Sequence, residues 1–127
     1  MITPDQFLVN EAWIAVRINE GFMFVQNEPY DIYVLLDAAS CYVFGHVASK
    51  TIDEAPPEED VKELFITAFH AKNQWAETLI TVEESSSNSV FKKVAKQKGL
   101  SVKTVNSLEL EPILGPLKES FASTFTR

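Results

Sequence analysis

Four carboxylates stand out by type and spacing. Asp37 closes the apolar run Ile32-Tyr33-Val34-Leu35-Leu36, Glu63 sits on an amphipathic stretch, and Glu83 and Glu84 close a second apolar run. Hard oxygen ligands in this number suit Mg²⁺ or Mn²⁺. If Asp37, Glu63 and one of Glu83/Glu84 converged at strand ends, they would build a metal-dependent nuclease or phosphotransfer centre. Each also has a plainer role. Asp37 caps the Ala38-Ala39-Ser40 turn, Glu63 lies on the solvated side of a helix, and Glu83/Glu84 precede a helix N-cap. The plainer roles weigh more. No catalytic or metal-ligating residue is therefore expected, and Mg²⁺ or Mn²⁺ enters only with the enzymatic alternative.

The remaining reactive types are few. His46 and His70 are the side chains that titrate near neutrality. His70 falls near a helix C-terminus, where the dipole favours a cation; His46 beside Gly45 reads as a sheet histidine. Cys41 and His46 are five apart, on opposite faces of a strand, which argues against a thiol–imidazole pair. The run Ser85-Ser86-Ser87-Asn88-Ser89 supplies helix N-caps and lacks the glycines and lysine of a phosphate loop. Lys92, Lys93, Lys96, Lys98 and Lys103 form the one basic cluster, with Lys92 and Lys96 on one helix face. That cluster reads mainly as a solvated face, and as a candidate patch for an acidic partner. Thr81 and Ser85, with Asp37, would line a cleft at the C-terminal strand ends, where open α/β sheets bind small ligands.

These residues need elements to position them. Residues 11–18 and 22–25 read as strands, with Asn19-Glu20-Gly21 as the turn that would hairpin them. Residues 31–38 are apolar on both faces, which predicts a central strand covered on both sides. The tight Ala39-Ser40 turn makes the next strand, 41–48, antiparallel to it. Val61, Leu64, Phe65 and Ala68 form the stripe of a helix over 57–73, opened by proline and acids. A strand over 77–82 follows. Then comes a helix carrying Val90, Phe91, Val94 and Ala95, closed by Gly99-Leu100. A strand over 101–105 and a helix from Glu109, broken early by Pro112, Gly115 and Pro116, complete the chain. The alternation in the second half implies parallel strands with helical crossovers. The expected fold is α/β, a three-layer-type mixed sheet of about five or six strands in one domain over 1–127.

The chain has 127 residues, net charge -7, 46% hydrophobic residues and 11% aromatic, values of a globular domain. The lone Cys41 excludes an intrachain disulfide and a cysteine zinc site, and suits a reducing, cytoplasmic setting. Met1-Ile2-Thr3-Pro4-Asp5 has no basic n-region, so no signal peptide is expected. No apolar run approaches the ~20 residues of a membrane span. Residues 1–64 hold twelve acidic residues against three basic, and the remainder eight basic against six acidic. The overall acidity disfavours nucleic acid as a partner, because phosphate contacts dominate that affinity. The aromatics Trp13, Phe22, Phe24, Tyr30, Tyr33, Tyr42, Phe44 and Trp75 exceed what a thin front sheet needs, so an exposed aromatic patch is weighed against ordinary core.

The segment Tyr30-Asp31-Ile32-Tyr33-Val34-Leu35-Leu36-Asp37-Ala38-Ala39-Ser40-Cys41-Tyr42-Val43-Phe44-Gly45-His46 is similar to the hairpin of integrase cores, where an apolar strand runs into Asp-x-x-Ser-Arg. Leu79-Ile80-Thr81 sits where integrases place a Thr-Asp-Asn-Gly turn, and Phe91 through Gly99-Leu100-Ser101-Val102 resembles the following helix and its exit. Over about residues 11–105 the chain thus resembles the ribonuclease-H-like, integrase-core-like fold, with antiparallel strands first and then α-β-α-β-α. Aligned on the hairpin, the family's first-strand Asp falls near Val16 and its turn Asp at Val82. A late Glu such as Glu119 would stand for the third, and the hairpin arginine is Cys41. The resemblance therefore implies a degenerate core, like those of small bacterial proteins. The expected function is a non-catalytic binding module that self-associates as a homodimer or other homo-oligomer through an edge strand or an aromatic face, with a protein partner allowed. The alternatives are the metal enzyme and the small-ligand binder.

Overall fold

The computed structural model describes residues 1–19, 23–51, 55–83 and 88–125. The elements run β1 (Ala12–Arg17), β2 (Met23–Val25), β3 (Glu28–Asp37), β4 (Val43–Lys50), α1 (Glu58–Lys72), β5 (Thr78–Val82), α2 (Asn88–Gln97), β6 (Ser101–Val105) and α3 (Glu111–Phe125). Short 3-10 turns at Pro4–Gln6 and Ser107–Leu110 precede β1 and α3. β3 pairs antiparallel with β4 on one edge and with β1 and β2 on the other, while β1–β5 and β5–β6 are parallel. The mixed sheet and the element order agree with the sequence reading.

β3 is the central strand expected from its two apolar faces: residues 32–37 are all buried. Side-chain alternation sorts the core into two layers. Trp13, Ala15, Tyr33 and Leu35 face Val61, Phe65 and Ala68 of α1 and Phe91 and Val94 of α2. Ile14, Val16, Val34 and Leu36 lie with Leu110, Ile113 and Leu114, the α3 side. The four apolar positions expected on α1 are its buried residues, and acids Glu58, Glu59 and Asp60 fill its first turn. Gly99 has φ +86 with open space where a Cβ would sit, so left-handed backbone, not crowding, requires glycine there.

Two details differ from expectation. The predicted Asn19-Glu20-Gly21 hairpin does not join β1 to β2, because β2 pairs with β3 and the hairpin turn is Gln26-Asn27. Both turn residues have positive φ, 53 and 69, which matches a two-residue turn to the sheet twist. Residues 20–22 lie outside the described residues. Where β1 leaves the ladder, the Asn19 side chain replaces backbone: its Oδ1 accepts the Ile32 N–H at 2.8 Å and its Nδ2 donates to the Tyr30 carbonyl at 3.2 Å. The simple alternation expected through 41–48 is also broken. The register against β3 jumps from Leu36–Val43 to Leu35–Gly45, so Phe44 is the extra residue of a bulge. Phe44 and Gly45 both then serve the α1 side. A Cβ on Gly45 would stand 2.9 Å from Leu64 Cδ1, so a larger residue there would displace the end of the Leu64 side chain.

Candidate functional site

Asp37 is wholly buried at the end of β3, opposite Trp13. Its Oδ1 accepts the Asn10 N–H at 2.7 Å; its Oδ2 accepts the Ser40 N–H at 2.8 Å and the Ser40 hydroxyl at 2.7 Å. Asn10 extends the network, accepting from Trp13 Nε1 at 2.8 Å and donating to the Gln74 carbonyl at 3.1 Å. This carboxylate therefore fastens the β3–β4 turn to the segment entering β1. A buried carboxylate is tolerable when its oxygens are met by donors in this way. Sequence reading missed Asn10. Its signal is an asparagine just ahead of an apolar strand, and it adopts left-handed φ 66, a conformation asparagine tolerates.

The structure does not bring the candidate carboxylates together. Trp13 pairs with Asp37 on one side and Leu79 on the other, and Glu83 lies four residues beyond Leu79. Asp37 and Glu83 are thus about 13 Å apart along the strands alone. The cause is chain direction: β3 runs antiparallel to β5, so its end lies at the start of β5. Glu63 is exposed on α1, beside β4. Glu84 and Ser85 lie outside the described residues. Among the described residues, no cluster of three or more His, Cys, Asp or Glu is arranged to hold a metal ion.

The cleft residues separate for the same reason. Thr81 is fully buried, with its hydroxyl 3.4 Å from that of Thr104 across the β5–β6 pair. Asp37 lies at the other end of the sheet. Cys41 is half-buried in the β3–β4 turn with φ 61, outside the strand in which it was expected. Burial, and then the charge of Asp37, push its thiol above the usual range. His46 pairs with Val34 on β4, and His70 is exposed in the last turn of α1. Of the basic patch, Lys92 is half-buried and Lys96 exposed, while Lys93 is an internal tie, its Nζ 2.6 Å from Glu58 of α1. Lys98 sits over the Trp75 ring at 5.6 Å. The two lysines hold Glu58 below the usual carboxylate range, Lys93 first and Lys62 second.

The positions aligned with the integrase carboxylates lie at the opposite end of β1 from Asp37. Val16 and Val82 each follow the Ile14–Ile80 pair by two residues in neighbouring parallel strands, on one face. Val16 belongs to the apolar layer on the α3 side, with Val82, Leu117 and Phe121 packed against it. Glu119 is exposed, two residues from Leu117 and so turned away from that layer.

No protein-family model matches the chain, and no curated protein sequence matches it. Solved structures do. A chain of the simian T-cell lymphotropic virus intasome, solved in complex with PP2A regulatory subunit B56 gamma, superposes with TM-score 0.56 at 16% identity over 95% of this chain. This chain spans 44% of the length of that one. The HTLV-2 integrase catalytic core domain, in complex with magnesium and in a dimeric form, superposes with TM-score 0.54 at 14% identity, covering 94% of this chain and 77% of that domain. The chain has the ribonuclease-H-like fold of integrase cores. No helix among the described residues is long and apolar enough to cross a membrane.

Proposed function

We propose that this chain is a non-catalytic, self-associating interaction module on a degenerate integrase-core-like fold. One observation carries the reading. The two strand positions that align with metal-binding carboxylates are Val16 and Val82, and they sit in an apolar layer with Leu117 and Phe121. Valine has no oxygen to offer a divalent cation, and the α3 glutamate that would supply a third ligand is exposed.

Self-association has its own support. Leu8, Val9 and Tyr42 are 77%, 57% and 59% exposed, and they flank the two chain segments that Asp37 ties together. Large apolar side chains gathered at one end of a sheet mark a surface that a partner covers. The HTLV-2 core is described in a dimeric form, which favours a second copy as that partner. A reducing, cytoplasmic setting belongs to the same reading and rests on the lone Cys41.

Thermal unfolding with and without millimolar Mn²⁺, on the wild type and on Asp37→Asn, tests the first half. A metal at ~100 times its Kd would raise the midpoint by about 10 °C for a domain of this size. No shift is expected in either protein. A shift that Asp37→Asn abolishes would restore the metal enzyme. Sedimentation at tens of micromolar tests the second half, with a dimer expected. A strictly monomeric profile there would remove self-association and leave the metal result untouched.

A further inference from the structure

Beside the central sheet, β4 has one edge paired with β3 and, among the described residues, pairs with no other strand. A groove of about 450 Å³ runs along it, lined by residues 44–48 and by Asp60, Glu63, Leu64 and Thr67 of α1. Five consecutive strand residues cannot all present side chains to one face, because side chains alternate. They line the groove together because it opens at the strand's edge, where unpaired N–H and C=O groups point outward. The four helix residues fall at i, i+3, i+4 and i+7, one face of α1. The volume is within the range of binding clefts, about 300–1,000 Å³. Five strand residues span about 16 Å, the length of a five-residue extended segment.

The floor and the walls differ in chemistry. Phe44, Val47 and Leu64 are buried and make the apolar floor. Asp60, Glu63 and Thr67 are exposed at the rim. The neighbouring acids Glu58 and Glu59 already hold Lys62 and Lys93, whereas Asp60 and Glu63 form no ion pair among the described residues. A second copy paired edge to edge through β4 would set two such acidic rims side by side, and like charges there oppose it. A basic segment is complementary.

We infer that this groove takes an extended peptide, which adds as a strand to the free edge of β4 and sets a lysine or arginine against Asp60 and Glu63. Backbone pairing supplies the hold, and alternate side chains supply selectivity: apolar onto the floor, basic toward the rim. The binding does not require self-association, although Tyr42 of the surface proposed for it abuts one end of the groove, its ring 5.6 Å from that of Phe44.

The test titrates two blocked peptides, one alternating lysine and valine and one alternating glutamate and valine, into the ¹⁵N-labelled full chain. The lysine peptide is expected to move the amides of 44–48 and 60–67, and the glutamate peptide to leave them. Asp60→Asn with Glu63→Gln, both at exposed positions, is expected to weaken the lysine peptide by about tenfold or more. Thr67→Trp, which fills the groove from its exposed rim, is expected to abolish the shifts. Equal affinity for the two peptides, shifts mapping elsewhere, or none at millimolar peptide would overturn the proposal. If the 46–48 amides move with protein concentration alone, a second copy occupies the edge and the proposal also falls.

Discussion

The two ends of β1 handle polarity in opposite ways. At its start, Trp13 lies beside Asp37, a buried carboxylate whose two oxygens accept three hydrogen bonds from Asn10 and Ser40. At its finish, Val16 lies in an apolar layer with Val82, Leu117 and Phe121, and the polar Asn19 just beyond it directs its side chain to the Ile32 N–H and the Tyr30 carbonyl. On the hairpin alignment, the second end is where the integrase resemblance would place metal-binding carboxylates. The buried carboxylate of this chain holds a turn, and the two strand positions at the other end carry valine. A buried acid is thus informative only with its partners: met by backbone and hydroxyl donors it is structural, and free to face a neighbouring acid it would be a ligand.

The sharpest way to break the contrast is to put a charge at the apolar end. Val16→Asp places an unpaired carboxylate in a layer where Val16 is 2% exposed. An uncompensated buried charge costs about 4 kcal/mol, a large part of a typical stability of roughly 5–15 kcal/mol. Urea unfolding of Val16→Asp reads this as a lowered midpoint at unchanged slope. The double variant Val16→Asp/Val82→Asp is expected to stay destabilised when millimolar Mn²⁺ is added. Full rescue by Mn²⁺ would mean that the end is still shaped for metal, and that only two side chains separate it from a ligand set.

The opposite operation at the other end comes second in size. Asp37→Ala leaves the Asn10 N–H and the Ser40 N–H without their acceptor, and the cost is about 3 kcal/mol. Ser40→Ala, which removes one donor of the three and keeps the carboxylate, costs about 1 kcal/mol. Equal losses in the two variants would show that the turn, not the carboxylate, holds this end together.

The sequence showed one of these ends and hid part of the other. The fold was legible because apolar periodicity is local. The doubly apolar 32–36 run marked the central strand, and the stripe Val61, Leu64, Phe65, Ala68 marked α1. Gly99 marked the exit of α2. The valines at 16 and 82 were legible only through alignment on the hairpin. Whether Asp37 and Glu83 converge was not legible, because strand direction decides which ends meet, and no single residue records direction. Asn10 was hidden because its partner is 27 residues away. The bulge at Phe44 was hidden because a register shift belongs to a pair of strands and not to one. The β4–α1 groove escaped for the same reason, although each of its walls was correctly read as an element.

Cys41 probes the Asp37 end with a smaller effect. Its thiol is pushed up by burial and by the nearby Asp37 charge, so the folded state favours the protonated form. That contribution is fully present below the unfolded thiol's pKa and is lost as pH rises through the raised folded value. Iodoacetamide should therefore modify native Cys41 more slowly than the unfolded chain at the same alkaline pH. Asp37→Asn removes the charge at the same size, while its amide nitrogen cannot accept from Asn10 or Ser40, so the turn also loosens; the reaction is expected to speed, by less than unfolding does. An unchanged rate would assign the protection to burial alone.

Glu58 gives the smallest and most exposed counterpart. Lys93 of α2, and then Lys62 one turn along α1, hold its carboxyl below the usual range. A depressed folded pKa contributes stability that is present above the unfolded value and lost as pH falls through the folded one. Glu58 and Lys93 are partly open to water, so the effect is small and screened by salt. The expected result is a urea midpoint for Lys93→Met slightly below wild type at neutral pH, with the two proteins converging once pH has fallen below the usual carboxylate range. A double-mutant cycle with Glu58→Gln isolates the pair from the packing of the lysine stem. Coupling that persists undiminished in acid or in high salt would show that apolar stem contact, not charge, joins α1 to α2. The polar tie between the helices would then follow the apolar end of β1 and not the Asp37 end.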